Sequence, residues 1–257
     1  MARRASNSKG AKDTTRGTTT RTRKRRASDP SRVRRAVAWL RHWVLRGLAV
    51  TCLIVTVWVT IYTFVPAPTT IYMWQESRRL GGIERDWVPI EEISVNLQRA
   101  VVAAEDANFC LHWGFDMEAI RTAIDQGGQR GGSTISQQTV KNAFLWHGRS
   151  WLRKAMEAAI TPLMELIWPK TRVIEMYLNV AEFGEGVFGA EAAAQHHFGV
   201  SAADLSLRQA SLLAAVLPNP QERVASAPSD FVDRRARSIA DGAATIAADG
   251  RDDCFAN

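Results

Sequence analysis

The chain has 257 residues, a formal net charge of +7 and a pI near 9.8, which leaves room for one sizeable domain with appendages. The basic excess sits at one end: residues 1–46 hold 15 Lys and Arg against two Asp, leaving 18 basic and 24 acidic residues in 47–257. The body is therefore acidic, which argues against a nucleic-acid partner and leaves contact with a polyanion or anionic lipid to the tail alone.

Residues 1–35 are rich in Arg, Lys, Ser and Thr, with Arg23-Lys24-Arg25-Arg26 the densest cluster. So little apolar surface cannot offset chain entropy, and 1–46 reads as a basic, disordered tail. Gly47 to Ala67 then runs 21 residues without a charge. At about 1.5 Å per residue that crosses a hydrocarbon layer of roughly 30 Å, so 47–67 reads as a transmembrane helix. A cleavable signal peptide would have a shorter apolar core and a small-x-small site before Pro66, which is missing. Arg41 and Arg46 precede the span and the acidic body follows it. The positive-inside rule then puts the N-terminus in the cytoplasm and everything after Pro66 outside the inner membrane. Residues 68–94 form a membrane-proximal connector with Trp74, Leu80, Ile83, Trp87 and Ile90 among charges, a pattern that suits either the membrane surface or packing on the domain.

Residues 95–248 read as one mainly α domain, with helices over Leu97–Ala107 and Phe115–Ala123 first. Between them, from Glu105 to Asp116, an apolar run ends in two adjacent acids followed by a histidine and a third acid among aromatic residues. A poorly solvated acid has a raised pKa and suits proton transfer near neutral pH, while a solvated Glu-Asp pair at a helix end is the competing reading. The polar stretch 125–130 reads as a mobile loop. After Gly131 and Gly132, Ser133 reads as a helix N-cap, with Gln137 and Lys141 one turn apart on one face. Arg149, Arg153 and Glu157 recur every four residues, with Lys154 at the edge of the stripe. A solvated ion-pair ladder has the same spacing, but Glu157 is bracketed by Met156, Ala158, Ala159 and Ile160. Three cations beside a second carboxylate suit a phosphorylated sugar.

Pro162 is expected to kink or end that helix within a turn. Lys170–Val180 is an amphipathic helix, and a glycine-punctuated turn over 181–189 follows, with Asn179 and Glu182 as its structural polars. A small-residue helix covers Ala190–Phe198, and Ser206 to Gln209 is a capping box that opens the apolar helix before Pro218. A final helix over 230–248 and a loose tail over 249–257 complete the reading. Cys52, Cys110 and Cys254 lack metal-ligand spacing; they indicate no zinc site and demand no disulfide.

In order, these stretches resemble the family 51 glycosyltransferases, the peptidoglycan polymerases of bacterial cell-wall synthesis. The pattern E-D-x-x-F-x-x-H-x-G-x-D is met by Glu105, Asp106, Phe109, His112, Gly114 and Asp116. G-x-S-T-x-x-Q-Q-x-x-K-N is met by Gly131, Ser133, Thr134, Gln137, Gln138, Lys141 and Asn142, and R-x-x-x-R-K-x-x-E by Arg149, Arg153, Lys154 and Glu157. The stretch from Glu175 to Asn179 with Gly184 and Gly189, and the Leu-rich helix before Pro218, supply the fourth and fifth. The likeness is to the monofunctional, single-span form. The S-x-x-K of a transpeptidase is met only by Ser6 to Lys9, without a K-T-G partner, so no cross-linking activity is expected.

The resemblance implies a lysozyme-like helical glycosyltransferase domain behind a single N-terminal transmembrane helix. It implies lipid II as acceptor, a polyprenyl-pyrophosphate-linked glycan as donor, and inverting attack of a GlcNAc 4-hydroxyl on the MurNAc anomeric carbon. Glu105 and Glu157 would be catalytic. Ser133, Thr134, Gln137, Gln138, Lys141, Asn142, Arg149, Arg153 and Lys154 would bind substrate, and Asp106, Phe109, His112, Gly114 and Asp116 would support the loop. No cofactor or protein metal site is evident, a divalent cation assisting pyrophosphate departure is compatible with the chemistry, and other cell-wall synthesis or division proteins are candidate partners. A lytic transglycosylase or lysozyme-type enzyme would share a catalytic Glu without needing the cations, and a membrane scaffold would need neither acid.

Overall fold

The computed structural model describes residues 10, 30–125, 132–148 and 150–256. The cluster Arg23 to Arg26, most of the loop 125–130, Gly131 and Arg149 lie outside the described residues. The chain divides into two units, Met1–Thr51 and Cys52–Asn257.

The first helix, α1, runs from Pro30 to Phe64, so 30–46 is helical and not part of a disordered tail. Pro30 suits a first helical position, where its missing N–H removes no bond. The basic residues that follow alternate with Val37, Trp39, Leu40, Trp43, Val44 and Leu45, all exposed, and together the apolar residues extend the stretch long enough to cross a membrane to Arg34–Phe64.

Within the second unit the end of α1 is bonded to the domain. The Trp168 indole donates to the Val59 carbonyl at 2.9 Å. Arg172 donates to the carbonyls of Tyr62, at 2.7 and 2.9 Å, and Val65, at 2.8 Å. Helix C-termini leave carbonyls without partners, and a guanidinium fork supplies several donors at once. Trp58 and Tyr62 pack their rings against Phe144.

The connector is integral to the domain. Thr70 caps α2 (Ile71–Leu80), which buries Tyr72, Met73 and Glu76 while Trp74 stays exposed. Strand β1 (Glu84–Arg85) lies parallel to β3 (Val187–Phe188), and β3 is antiparallel to β2 (Glu182–Gly184). The glycine-rich turn of the sequence is thus a hairpin that captures the connector. Asn179 completes the capture: its amide accepts from Val88 N–H at 3.0 Å and donates to Val88 C=O at 2.9 Å, the structural task its position suggested.

Seven further helices follow: α3 (Val95–Glu105), α4 (Met117–Asp125), α5 (Ile135–Phe144), α6 (Trp151–Ile167), α7 (Lys170–Val180), α8 (Ala190–Phe198) and α9 (Leu207–Val216). The last helix is α10 (Asp230–Asp249). Helices α3, α9 and α10 pack together, and α5 packs against both α6 and α7. Both α7 and α9 are buried on nearly every side, each large apolar side chain so buried contributing about 1.5–3 kcal/mol. The Ser206–Gln209 capping box forms as read.

Two boundaries differ from the sequence reading, the end of the helix at Pro162 and the loose tail. Helix α6 continues through Pro162 to Ile167. The carbonyl that a residue-162 N–H would have met belongs to Ala158, an exposed residue, so the helix loses one bond on its open side and continues. The segment after α10 is not loose: Asp252 and Phe255 are buried, and Cys254 forms a disulfide with Cys110. Closing a loop with a sequence separation of 144 stabilises by about 5 kcal/mol on the chain-entropy account. Even spacing could not show this pair, because the partners lie at opposite ends of the domain's sequence.

Candidate active site

The first motif spans the end of α3 and the loop into α4. Phe109 is fully buried, with the Lys170 ammonium 4.4 Å from its ring centre. Asp106 ends α3 and spends both oxygens on structure: Oδ1 meets His112 Nε2 at 2.8 Å, and Oδ2 accepts from Ile135 N–H at 2.9 Å. The second contact places a carboxylate at the positive end of α5. Asp116 accepts from the amides of Glu118 (3.0 Å) and Ala119 (2.8 Å) at the start of α4 and from Asn108 (3.0 Å). These bonds hold its carboxyl below its ordinary pKa, the Ala119 amide first among them.

Gly114 has φ +82°, and a Cβ there would lie 2.7 Å from Thr161 Cγ2 and 3.1 Å from Glu165 Cγ. Only glycine fits both the backbone and the contact with α6.

Glu105 is the acid of this stretch that faces α5 and α10. Its Oε2 accepts from Gln138 Nε2 at 2.9 Å, and Oε1 lies 4.0 Å from the Arg235 guanidinium on α10. Burial pushes its pKa up; Gln138, Arg235 and Lys141 oppose that shift, and Asp106 adds to it. A hollow of about 250 Å³ opens beside it, lined by residues including Asn108, Asp116, Ser133 and Thr134. On the far side of Gln138 a second hollow of about 280 Å³ is lined by Tyr72, Lys141, His147, Tyr177, Glu182 and Asn219, among others. A larger cavity of about 510 Å³ lies around Glu91, Gln98 and Glu175 and is lined by no residue of the first three motifs.

The second motif divides its residues between scaffold and site. Thr134, not Ser133, caps α5, in a capping box with Gln137, and the Thr134 hydroxyl donates to Gly114 C=O at 2.7 Å. The Ser133 hydroxyl instead receives Lys154 Nζ at 3.2 Å. The Thr134 hydroxyl and Gln137 Oε1 are thus engaged in the cap. Asn142 Oδ1 pairs with His147 Nε2 at 3.1 Å. Lys141 is half-buried, and burial lowers its pKa against the attraction of Glu157 and then Glu105. It therefore stands in the field of both glutamates.

Glu157 is 2% exposed, so the solvated ladder is excluded. Arg153 donates to it at 2.7 Å, and Lys154 reaches its other oxygen. Removing one partner of such a buried group would leave a charge uncompensated.

Sequence reasoning passed over several residues. The Tyr177 hydroxyl donates to Gln138 Oε1 at 3.3 Å; the tyrosine sat inside a quoted motif, but an amphipathic helix alone does not tell a site tyrosine from any other. The Tyr72 hydroxyl donates to Glu182 at 2.5 Å, and its ring stacks on His147 with centres 3.4 Å apart. Burial, then Lys141 and Arg153, push the His147 pKa down to about 3. Arg235 had no signal beyond being one of several charges on an amphipathic helix. Among the described residues, no group of three His, Cys, Asp or Glu side chains could hold a metal ion.

The sequence that builds this site is similar to those of several bacterial proteins. A biosynthetic peptidoglycan transglycosylase of Jannaschia sp. (strain CCS1) is 72% identical over 227 residues, covering 88% of this chain and 95% of that protein. One from Pseudomonas fluorescens (strain Pf-5) is 54% identical over 189 residues, 69% of this chain and 78% of the relative. One from Rhodospirillum centenum is 48% identical over 217 residues, 82% and 93% respectively. Residues 75–244, which carry every side chain placed around Glu105 and Glu157 except Tyr72, match the Transglycosylase family, and the chain belongs to that family.

Proposed function

We infer that this chain is a peptidoglycan glycosyltransferase that polymerises lipid II into linear glycan strands, with Glu105 as the general base. The observation that carries the base is the setting of Glu105: a carboxylate with burial-raised pKa, aimed by Gln138 and lining a hollow beside the motif loop. A base of that kind accepts a proton near neutral pH when a sugar hydroxyl attacks.

The acceptor's GlcNAc 4-hydroxyl attacks the anomeric carbon of the donor's terminal MurNAc with inversion. Its proton passes to Glu105, and the bond to polyprenyl pyrophosphate breaks. The leaving group carries negative charge, which Lys141, Arg153 and Lys154 are placed to stabilise, with Arg149 as the further cation of the motif. Glu157 holds Arg153 and Lys154 in place, so its part in the reaction is to orient those cations on the donor side.

The N-terminal apolar helix fits a membrane anchor. Confinement with lipid substrates raises their effective concentration without any new contact. Two features support an N-terminus in the cytoplasm and a periplasmic catalytic domain: the basic residues before the span and the Cys110–Cys254 disulfide, a bond that persists in oxidising compartments.

Purified full-length protein with labelled lipid II tests the reading. Growth of glycan polymer is the expected result. Shortening of preformed glycan would indicate a lytic enzyme instead, and no change in either would indicate a scaffold.

A further inference from the structure

The loop that begins at Glu105 is held by a segment lying largely past the family match. The match ends at residue 244, while α10 continues to Asp249 and the chain turns back over 250–256. Four contacts reach from this strap to α3 and the loop. Cys254 is bonded to Cys110. Asp252 accepts from Arg99 at 2.6 Å. The Phe255 ring lies 6.0 Å from that of Phe109. Arg251 donates to Ala107 C=O at 3.2 Å. Upstream on α10, Arg235 stands 4.0 Å from Glu105, and Gly242 approaches α3 so closely that a Cβ would lie 3.2 Å from Ala103 Cβ.

We propose that the strap and Arg235 form a redox-locked positioning element for Glu105, active with the Cys110–Cys254 bond closed and slower with it open. This rests on reading Glu105 as the base. The strap contacts both sides of Glu105, Arg99 before it and Ala107 to Cys110 after it. With the disulfide gone, one partly exposed ion pair, one ring contact and one hydrogen bond remain, a set too weak to fix a loop alone. Opening is a two-electron thiol–disulfide exchange: a dithiol reductant's sulfurs become a disulfide, while Cys110 and Cys254 each gain an electron and a proton. The groups facing Glu105 are Gln138 and Lys141 from α5, Tyr177 from α7, Arg235 from α10 and the adjacent Asp106. Helix α10 stays packed on α9; release of the strap instead lets the loop after Glu105 shift, so the carboxylate moves away from Arg235, is less favoured, and the acidic limb of the rate profile moves to higher pH.

The test compares lipid II polymerisation by the full-length protein, oxidised and after dithiothreitol treatment, across pH. Reduction is expected to lower kcat about ten- to a hundredfold with KM little changed, to move the acidic limb upward, and to be reversed by reoxidation. Cys254→Ser should behave as the reduced protein; if it does not fold, the reduced wild type provides the same comparison. An unchanged rate and pH profile after verified reduction would overturn the proposal, as would a lower Tm with unchanged kinetics, the mark of a structural staple only. Glu105→Gln serves as control. If it polymerises normally, the base assignment fails; if it is inactive while reduction changes nothing, only the strap proposal fails.

Discussion

Tyr177 and Glu105 hold opposite ends of one amide: the phenol donates to Gln138 Oε1 at 3.3 Å, and Gln138 Nε2 donates to Glu105 at 2.9 Å. Burial raises the Tyr177 pKa well above its ordinary value, so the phenol stays a donor at any working pH, and Gln138 can present only its NH₂ to Glu105. Tyr177→Phe should lower stability by about 1 kcal/mol, one buried hydrogen bond, and reduce the polymerisation rate several-fold. Denaturant titration and initial rates check both; a variant at wild-type rate would show that the phenol does not aim the amide.

The raised pKa of Glu105 is also a statement about stability. Folding favours its neutral form, so this contribution is fully present below the ordinary value of 4.5 and is lost as pH rises through the higher folded value. Glu105→Gln, which carries no charge at any pH, should therefore have a higher Tm than wild type at pH 7. The gap should close as pH falls toward 4. A Tm difference independent of pH would contradict this.

Gly114→Ala meets two obstacles, a φ of +82° and a Cβ 2.7 Å from Thr161. Such strain costs about 1–3 kcal/mol, and the displaced loop should also slow polymerisation. A Tm within a degree of wild type would mean the loop shifts freely, contrary to the contact with α6.

Lys141 is the cation placed in the field of both glutamates. Charge reversal in Lys141→Glu should weaken binding of a pyrophosphate-bearing lipid by at least about tenfold, the size of one charge-assisted contact. Equilibrium binding of a non-reactive lipid II analogue reads this directly, and unchanged affinity would remove Lys141 from the pyrophosphate site.

The helices of the body were legible because their apolar periodicity, capping residues and prolines are local signals: α7 and α8 fall where the pattern puts them, and Ser206 caps α9. Long-range partners were not. Nothing near Cys110 points to Cys254, and nothing near Glu84 points to its pairing with Val187. The cap of α5 fell to Thr134 because Gln137 can close a box with residue 134 and not with Ser133. In the site, the motif residues were visible as a set, yet their division into scaffold and chemistry was not. Asp106 and Glu105 are neighbours of like charge in the sequence; only the Ile135 amide and the Gln138 side chain separate their roles.

The central claim is that Glu105 removes the acceptor proton. The measurement that meets it most directly is the initial rate of glycan polymerisation from lipid II by purified full-length Glu105→Gln, its folding and lipid II binding first verified. The account predicts a rate at least about a hundredfold below wild type, the scale of general-base catalysis, with binding retained. A folded, binding-competent variant that polymerises at the wild-type rate would contradict it.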